Sequence, residues 1–298
     1  MRFWPLLLFA LMLKSCSCKP PPERVSIDGS STVYMISEAV AEEYQKRHPG
    51  RISLRISGTG GAFKKFCDKR IRLMGASRPI NEKEAQVCEK NGVAVSEFAV
   101  ALDGIVVAVN AKNSWVRKID VATLKKLFEP EAEEKINYWS DLNPSWPMRK
   151  LLIFAPGISS GTYDYFTRVI VGKEHDSRGD ITSSEDDNVL VHGVRSNLGS
   201  IGFFSFAYYQ ENKNELKALA VINDEGHAVL PTVESIRNGT YAPLSRAVYL
   251  YADQRKASEA EKTFLHFYLE NSSRLAHDVG FIALNDEANK ENMGKLTR

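Results

Sequence analysis

Three times along this chain a short apolar segment runs into a cluster of small hydroxylated residues and glycine, and a helical period begins directly after it. The clusters are Gly29-Ser30-Ser31-Thr32, Ser57-Gly58-Thr59-Gly60-Gly61 and Ser159-Ser160-Gly161-Thr162. A helix start leaves backbone N–H groups without partners and carries a partial positive charge, so it attracts anions. Serine and threonine add hydroxyl donors, and glycine lets a ligand come close to the backbone. A single such cluster is an ordinary helix cap. Three of them, each at the carboxyl end of a strand, predict that several donors converge on a small tetrahedral oxyanion.

Strands and helices alternate around these clusters. A strand at 24–27 precedes a helix carried by Val33, Ile36, Val40 and Tyr44, which ends at His48-Pro49-Gly50. A strand at 51–56, a helix start at 62–67, a strand at 73–77 and a helix at 81–91 follow, then two strands within 93–109 that flank Leu102-Asp103-Gly104. Later helices fall at 120–128, 163–170, 188–195 and 257–269, and strands at 151–154, 200–204 and 248–251, with loops at 138–147 and 172–187. The pattern predicts an α/β class with largely parallel pairing. No repeat and no low-complexity linker separates the halves, as expected for two lobes joined by strands that cross between them.

The amino terminus fixes the compartment. Arg2, eleven apolar residues at 3–13 and Lys14-Ser15-Cys16 read as a signal sequence at 1–15, because the apolar run is too short to span a bilayer, which needs about 20 residues. Cys16 sits where a bacterial lipobox places its lipidated cysteine, and residues 16–23, with Pro20-Pro21-Pro22, form a stiff tether. Ordinary cleavage near this point is the alternative. With Arg2 and Lys14 removed, acidic and basic residues balance at 37 each, so no basic excess points to nucleic acid. Cys67 and Cys88, the two cysteines of the body, read as a disulfide in an exported chain. A metal pair is the alternative, and no His or Cys lies at ligand spacing from either.

Among charged residues, Arg78 follows a strand and can present a guanidinium to the cleft beside Ser77. Asp103 is either a turn-forming residue or a carboxylate that accepts a proton from the ligand, which favours hydrogen phosphate over sulfate. Asp164 in a first turn complements a helix dipole. Glu185, Asp186 and Asp187 precede a helix as caps, one of which can orient the site. Gly157-Ile158-Ser159-Ser160-Gly161 matches the G-x-S-x-G nucleophile elbow of hydrolases, so a serine hydrolase using Ser159, with Asp186 or Asp187 and His192, His266 or His277, is the enzymatic alternative. No HGGG-type segment precedes it. No cofactor or metal is expected.

With these residues in view, the chain resembles the PstS/SphX family of phosphate-binding proteins of ABC transporters, and is closest in pattern to its SphX-like branch. The carrying segments are 27–34, 56–61, 75–80, Ser160-Gly161-Thr162-Tyr163-Asp164-Tyr165-Phe166, 182–189 and 199–204, all in family order. The resemblance implies a two-lobed, type II periplasmic-binding-protein fold that closes by a hinge over one phosphate. Lobe 1 would comprise 24–106 plus 249–298, and lobe 2 107–248. It assigns phosphate donors to Ser31, Thr32, Ser57, Ser160, Gly161 and Thr162, and permease subunits of an importer as partners at the outer face of the cell membrane or in the periplasm. The Cys67 and Cys88 pair also fits that branch. Two positions depart from the enteric form. Arg78 stands where that form has an aspartate, and Pro156 stands where it has an arginine. Arg78 is therefore expected to supply the cation and Asp103 the proton acceptor. Another tetrahedral oxyanion such as sulfate is the alternative ligand.

Overall fold

A computed structural model describes residues 24–48 and 50–296. The signal sequence, Cys16 and the tether lie outside the described residues. The strands are β1 Arg24–Gly29, β2 Arg51–Ile56, β3 Leu73–Ala76, β4 Ser96–Asn110, β5 Lys118–Asp120, β6 Leu152–Pro156, β7 Thr182–Ser184, β8 Ser200–Ser205, β9 Leu216–Ala218, β10 Ala220–Ile222, β11 Ala228–Val229 and β12 Ser245–Ala252. One sheet runs in the order β2-β1-β3-β12-β4-β8-β6-β7, with β9 also on β4, and β11-β10-β5 form a small second sheet.

Two cores flank this sheet. One is drawn from 105–244 together with Ile282, and is centred on Phe128, Phe166 and Phe203. The other is built from 25–101 and 248–281, apart from Ala207, with a satellite around Phe63, Phe66 and the joined Cys67 and Cys88. They define two lobes, the α/β two-lobed architecture expected of the sequence. The disulfide is formed and ties the helix Thr59–Cys67 to the helix Glu82–Lys90. Among the described residues no helix is long and apolar enough to cross a membrane.

Helix Ser31–Gln45 buries Val33, Ile36, Val40, Ala41 and Tyr44, the spacing of one helical stripe. Its start is fixed by Ser30, whose side chain accepts from the Thr32 N–H at 3.2 Å. Ser160 caps helix Gly161–Phe166 in the same way, accepting from Thr162 N–H at 3.1 Å. That helix continues into a wider turn at Thr167–Val171.

Two expectations are corrected. Where two strands were expected within 93–109, one 15-residue strand runs over Ser96–Asn110, a ribbon about 50 Å long. Asp103-Gly104 makes no turn, because Asp103 pairs in register with Arg246 of β12 and Gly104 lies against Ile236, whose Cδ1 would be 2.6 Å from a Cβ there. Pairing is also mixed. β1, β2 and β3 are parallel, as are β6, β7 and β8, but β12 and β4 run antiparallel to their neighbours. β4 pairs with β12 up to Gly104 and with β8 from Ile105 onward, so a single strand carries the sheet from one lobe into the other.

Phe203 stacks on Phe166 with ring centroids 3.8 Å apart at the centre of the second lobe. Phe203→Ala is expected to cost about 3–5 kcal/mol, read as a lower urea midpoint with unchanged far-UV circular dichroism.

Candidate functional site

The three clusters meet where the lobes face each other. Thr32 Oγ1 lies 3.4 Å from Thr162 Oγ1, and the N–H of Gly60 donates to the Ser159 carbonyl at 2.9 Å. The glycines permit this approach. A Cβ on Gly161 would come within 2.7 Å of Thr59 Oγ1 and 2.8 Å of Ser77 Oγ, both on the opposite lobe. Gly58 has φ +72, and a Cβ there would lie 2.4 Å from the Ser159 carbonyl oxygen. Ser31, Thr32, Ser160 and Thr162 are all buried at this seam.

Among the hydroxyl and helix-start donors at the seam the cation is Arg246. Its Nη2 donates to Thr162 Oγ1 at 2.7 Å and to Asp103 Oδ2 at 3.1 Å, and its Nη1 donates to the Gly161 carbonyl at 3.3 Å. Asp103 is wholly buried. Its Oδ1 accepts from Ser205 Oγ at 2.8 Å and from the Phe206 N–H at 3.2 Å. Burial raises its pKa, with Arg246 and Ser205 pulling the other way.

A second buried carboxylate, Asp187, opens helix Asp187–Ser196. It accepts from Ser31 Oγ of the first lobe at 3.2 Å and from the Ser205 N–H at 3.3 Å. Burial, aided by the charge of Asp103, pushes it up to about 7 against the pull of the Ser205 N–H. The Tyr208 hydroxyl donates to the Ser31 carbonyl at 3.1 Å and completes this wall. The site thus joins donors from both helix starts, one guanidinium and a carboxyl poised to gain or lose a proton near neutrality.

Other residues singled out from the sequence sit around this centre. Ser57 donates its N–H to Gly29 O at 3.1 Å and its hydroxyl to Asp28 at 2.7 Å, and Lys65 bonds the other oxygen of Asp28. The Ser77 hydroxyl lies 3.2 Å from Thr59 Oγ1. Arg78 directs its three nitrogens to Glu84, Asp164 and the Pro79 carbonyl. Ser159 donates its N–H to Glu185 at 3.0 Å. The histidines suggested for a triad lie elsewhere, His192 beside Arg195, His266 beside Glu270 and His277 beside Asp278. Among the described residues no cluster of His, Cys, Asp and Glu could hold a metal ion.

Sequence reasoning missed Arg246 and Ser205, and left Asp187 as one of three caps. The signal for Arg246 was present. It lies in phase with Val248 and Leu250 on the buried face of β12, so a charge sits on an apolar stripe. Beginning the strand at 248 left it outside.

Residues 19–272 match the PBP superfamily domain. Protein SphX of Synechococcus elongatus is 48% identical over 262 residues, covering 87% of this chain and 77% of that protein. The phosphate-binding protein PstS of Staphylococcus haemolyticus is 36% identical, covering 91% of this chain and 84% of that one. The crystal structure of a possible phosphate binding protein from Planctomyces limnophilus superposes with a TM-score of 0.67 at 37% identity, covering 92% of this chain and 98% of that one. The chain belongs to the SphX/PstS family of the PBP superfamily.

Two outcomes follow from the seam. Gly161→Ala is expected to weaken ligand binding by at least about tenfold through steric conflict across the seam, with an unchanged melting temperature, as measured by calorimetric titration and thermal scan. The raised pKa of Asp187 means that the fold favours its protonated form, so stability is full below about pH 4 and declines as pH rises through about 7. In urea denaturation across that range, Asp187→Asn is expected to flatten the decline. An unchanged slope would assign the titration to another group.

Proposed function

We propose that this chain is an exported, non-catalytic binding protein. It captures inorganic phosphate between its lobes and delivers it to the membrane subunits of an ABC importer. The observation that carries the reading is Arg246, buried in the seam and bonded to Thr162 at 2.7 Å, at the start of the helix that Ser160 caps. A guanidinium among hydroxyl and backbone donors is a strong oxyanion partner. The names of the PstS relative and of the Planctomyces structure, a phosphate-binding protein and a possible phosphate binding protein, support the choice of anion, and binding proteins of this kind are not enzymes. The short apolar run at 3–13 and the position of Cys16 after it support export with lipid attachment.

In this reading Ser31, Thr32, Ser160, Gly161 and Thr162 supply hydrogen-bond donors, and Arg246 supplies the charge that the sequence had assigned to Arg78. Asp187 recognises the proton of hydrogen phosphate. As a carboxylate it accepts a hydrogen bond from P–OH and repels sulfate, which has no proton to offer. Asp103 holds Arg246 in place.

The test is calorimetric titration of residues 23–298, unfolded and refolded to strip bound ligand, with phosphate alone and with excess sulfate. Tight one-to-one phosphate binding is expected. Sulfate should leave it unaffected at about pH 8.5 and compete at about pH 5.5, where Asp187 is protonated. Asp187→Asn should admit sulfate at both. Preferred sulfate binding would reassign the ligand, and no binding of either anion would overturn the reading.

A further inference from the structure

Arg78 and Asp164 form an ion pair that spans the two lobes at a different place from the Arg246 centre. Arg78 follows β3 in the first lobe, and Asp164 lies in helix Gly161–Phe166 of the second. Arg78 Nε donates to Asp164 Oδ2 at 2.6 Å, and both side chains are almost fully buried, at 3% and 1% exposure.

The first lobe holds Arg78 ready. Glu84 takes two of its N–H groups at 2.8 and 2.9 Å, and the Pro79 carbonyl takes a third at 3.0 Å. Glu84 is itself fixed by the capping box of helix Glu82–Lys90, and the Cys67–Cys88 bond holds that helix against its neighbour. The guanidinium also lies over the Phe63 ring, 5.6 Å from its centroid. None of these partners crosses the seam. If the lobes part, Arg78 keeps all of them and loses only Asp164.

Asp164 has no such support. Its Oδ2 meets Arg78, and among the described residues its buried Oδ1 has no hydrogen-bond partner, with the half-exposed His175 placing Nδ1 3.2 Å away. Its burial therefore depends on Arg78 being opposite. The geometry points to a latch: resting on the phosphate reading only for its ligand, we propose that Arg78 and Asp164 are positioning residues that hold helix Gly161–Phe166 against the first lobe and set how fast phosphate leaves. On this proposal they act through the contact between the lobes, Arg78 through its bond to Asp164 and not on the anion itself. When one partner of a buried pair is removed, the other is left buried and uncompensated, whereas removal of both is far better tolerated. With the lobes apart each group is solvated, so the penalty falls on lobe closure and leaves the fold of either lobe intact.

The experiment is a double-mutant cycle on residues 23–298, with Asp164→Asn, Arg78→Gln and the double variant. Stopped-flow phosphate release is followed in each, together with small-angle X-ray scattering of the ligand-free chains. Asp164→Asn is expected to speed release about tenfold with association changed less than about twofold, and to enlarge the radius of gyration. The double variant should be no worse than the worse single one. Arg78→Lys should recover part of the loss. If the two single effects multiply in the double variant, the residues act independently and the latch is wrong. Release within about twofold of the wild type in Asp164→Asn also overturns it. Asp164→Ser is the second probe should Asp164→Asn fail to fold. If the wild type binds no phosphate, the phosphate reading fails, and the scattering comparison alone still judges the latch.

Discussion

The pairing of Arg246 with Asp103 is the contact on which the centre of this molecule depends. The two residues face each other in register on β12 and β4, two residues before β4 exchanges β12 for β8 as its partner at Ile105. Neither charge is tolerable alone at that depth, since breaking a buried pair costs several kcal/mol. Together they hold an Asp-Gly dipeptide in extended form and fix Ser205 and the start of the helix at Phe206 from one side. From the other side they reach Thr162 and the Gly161 carbonyl. The same pair thus organises the crossing between lobes and the polar wall of the cleft.

A second layer of charge surrounds the first. Burial works against the charge on Arg78, yet Glu84 and Asp164 outweigh it and hold its pKa above the ordinary arginine value. Burial holds Asp164 above the usual carboxylate range, with Arg78 pulling it down. Two arginines at the seam therefore divide the work. One lies among the hydroxyls and helix starts, and the other among carboxylates that join lobe to lobe.

Much of this was legible from local pattern. The three serine and glycine clusters, the helix stripe of Val33, Ile36 and Val40, and the Cys67–Cys88 bond each follow from spacing or composition. What escaped depends on partners distant in sequence. Asp103-Gly104 has the composition of a turn, and only Arg246, 143 residues later, explains why it is strand. Asp187 resembles its neighbours Glu185 and Asp186 as a cap, and only packing against Ser31 and Ser205 separates the one buried carboxyl from the others. Arg78 was read as a cation presented to the cleft, with no sign of its pairing, because its partner Asp164 has a complete local explanation as a first-turn acid.

The length of β4 has a consequence for how such a chain can diverge. Side chains on a strand alternate faces, so adding or removing one residue between Ser96 and Asp103 would rotate every position beyond it to the opposite side. Asp103 would then face away from Arg246, and the partner exchange at Ile105 would fall out of step with β8. The exposed turn at Asp224–Glu225 meets no such constraint. Descendants of this sequence are free to alter the anion they hold by exchanging side chains around the seam, and to lengthen their surface turns, while the residue count of the crossing strand stays fixed.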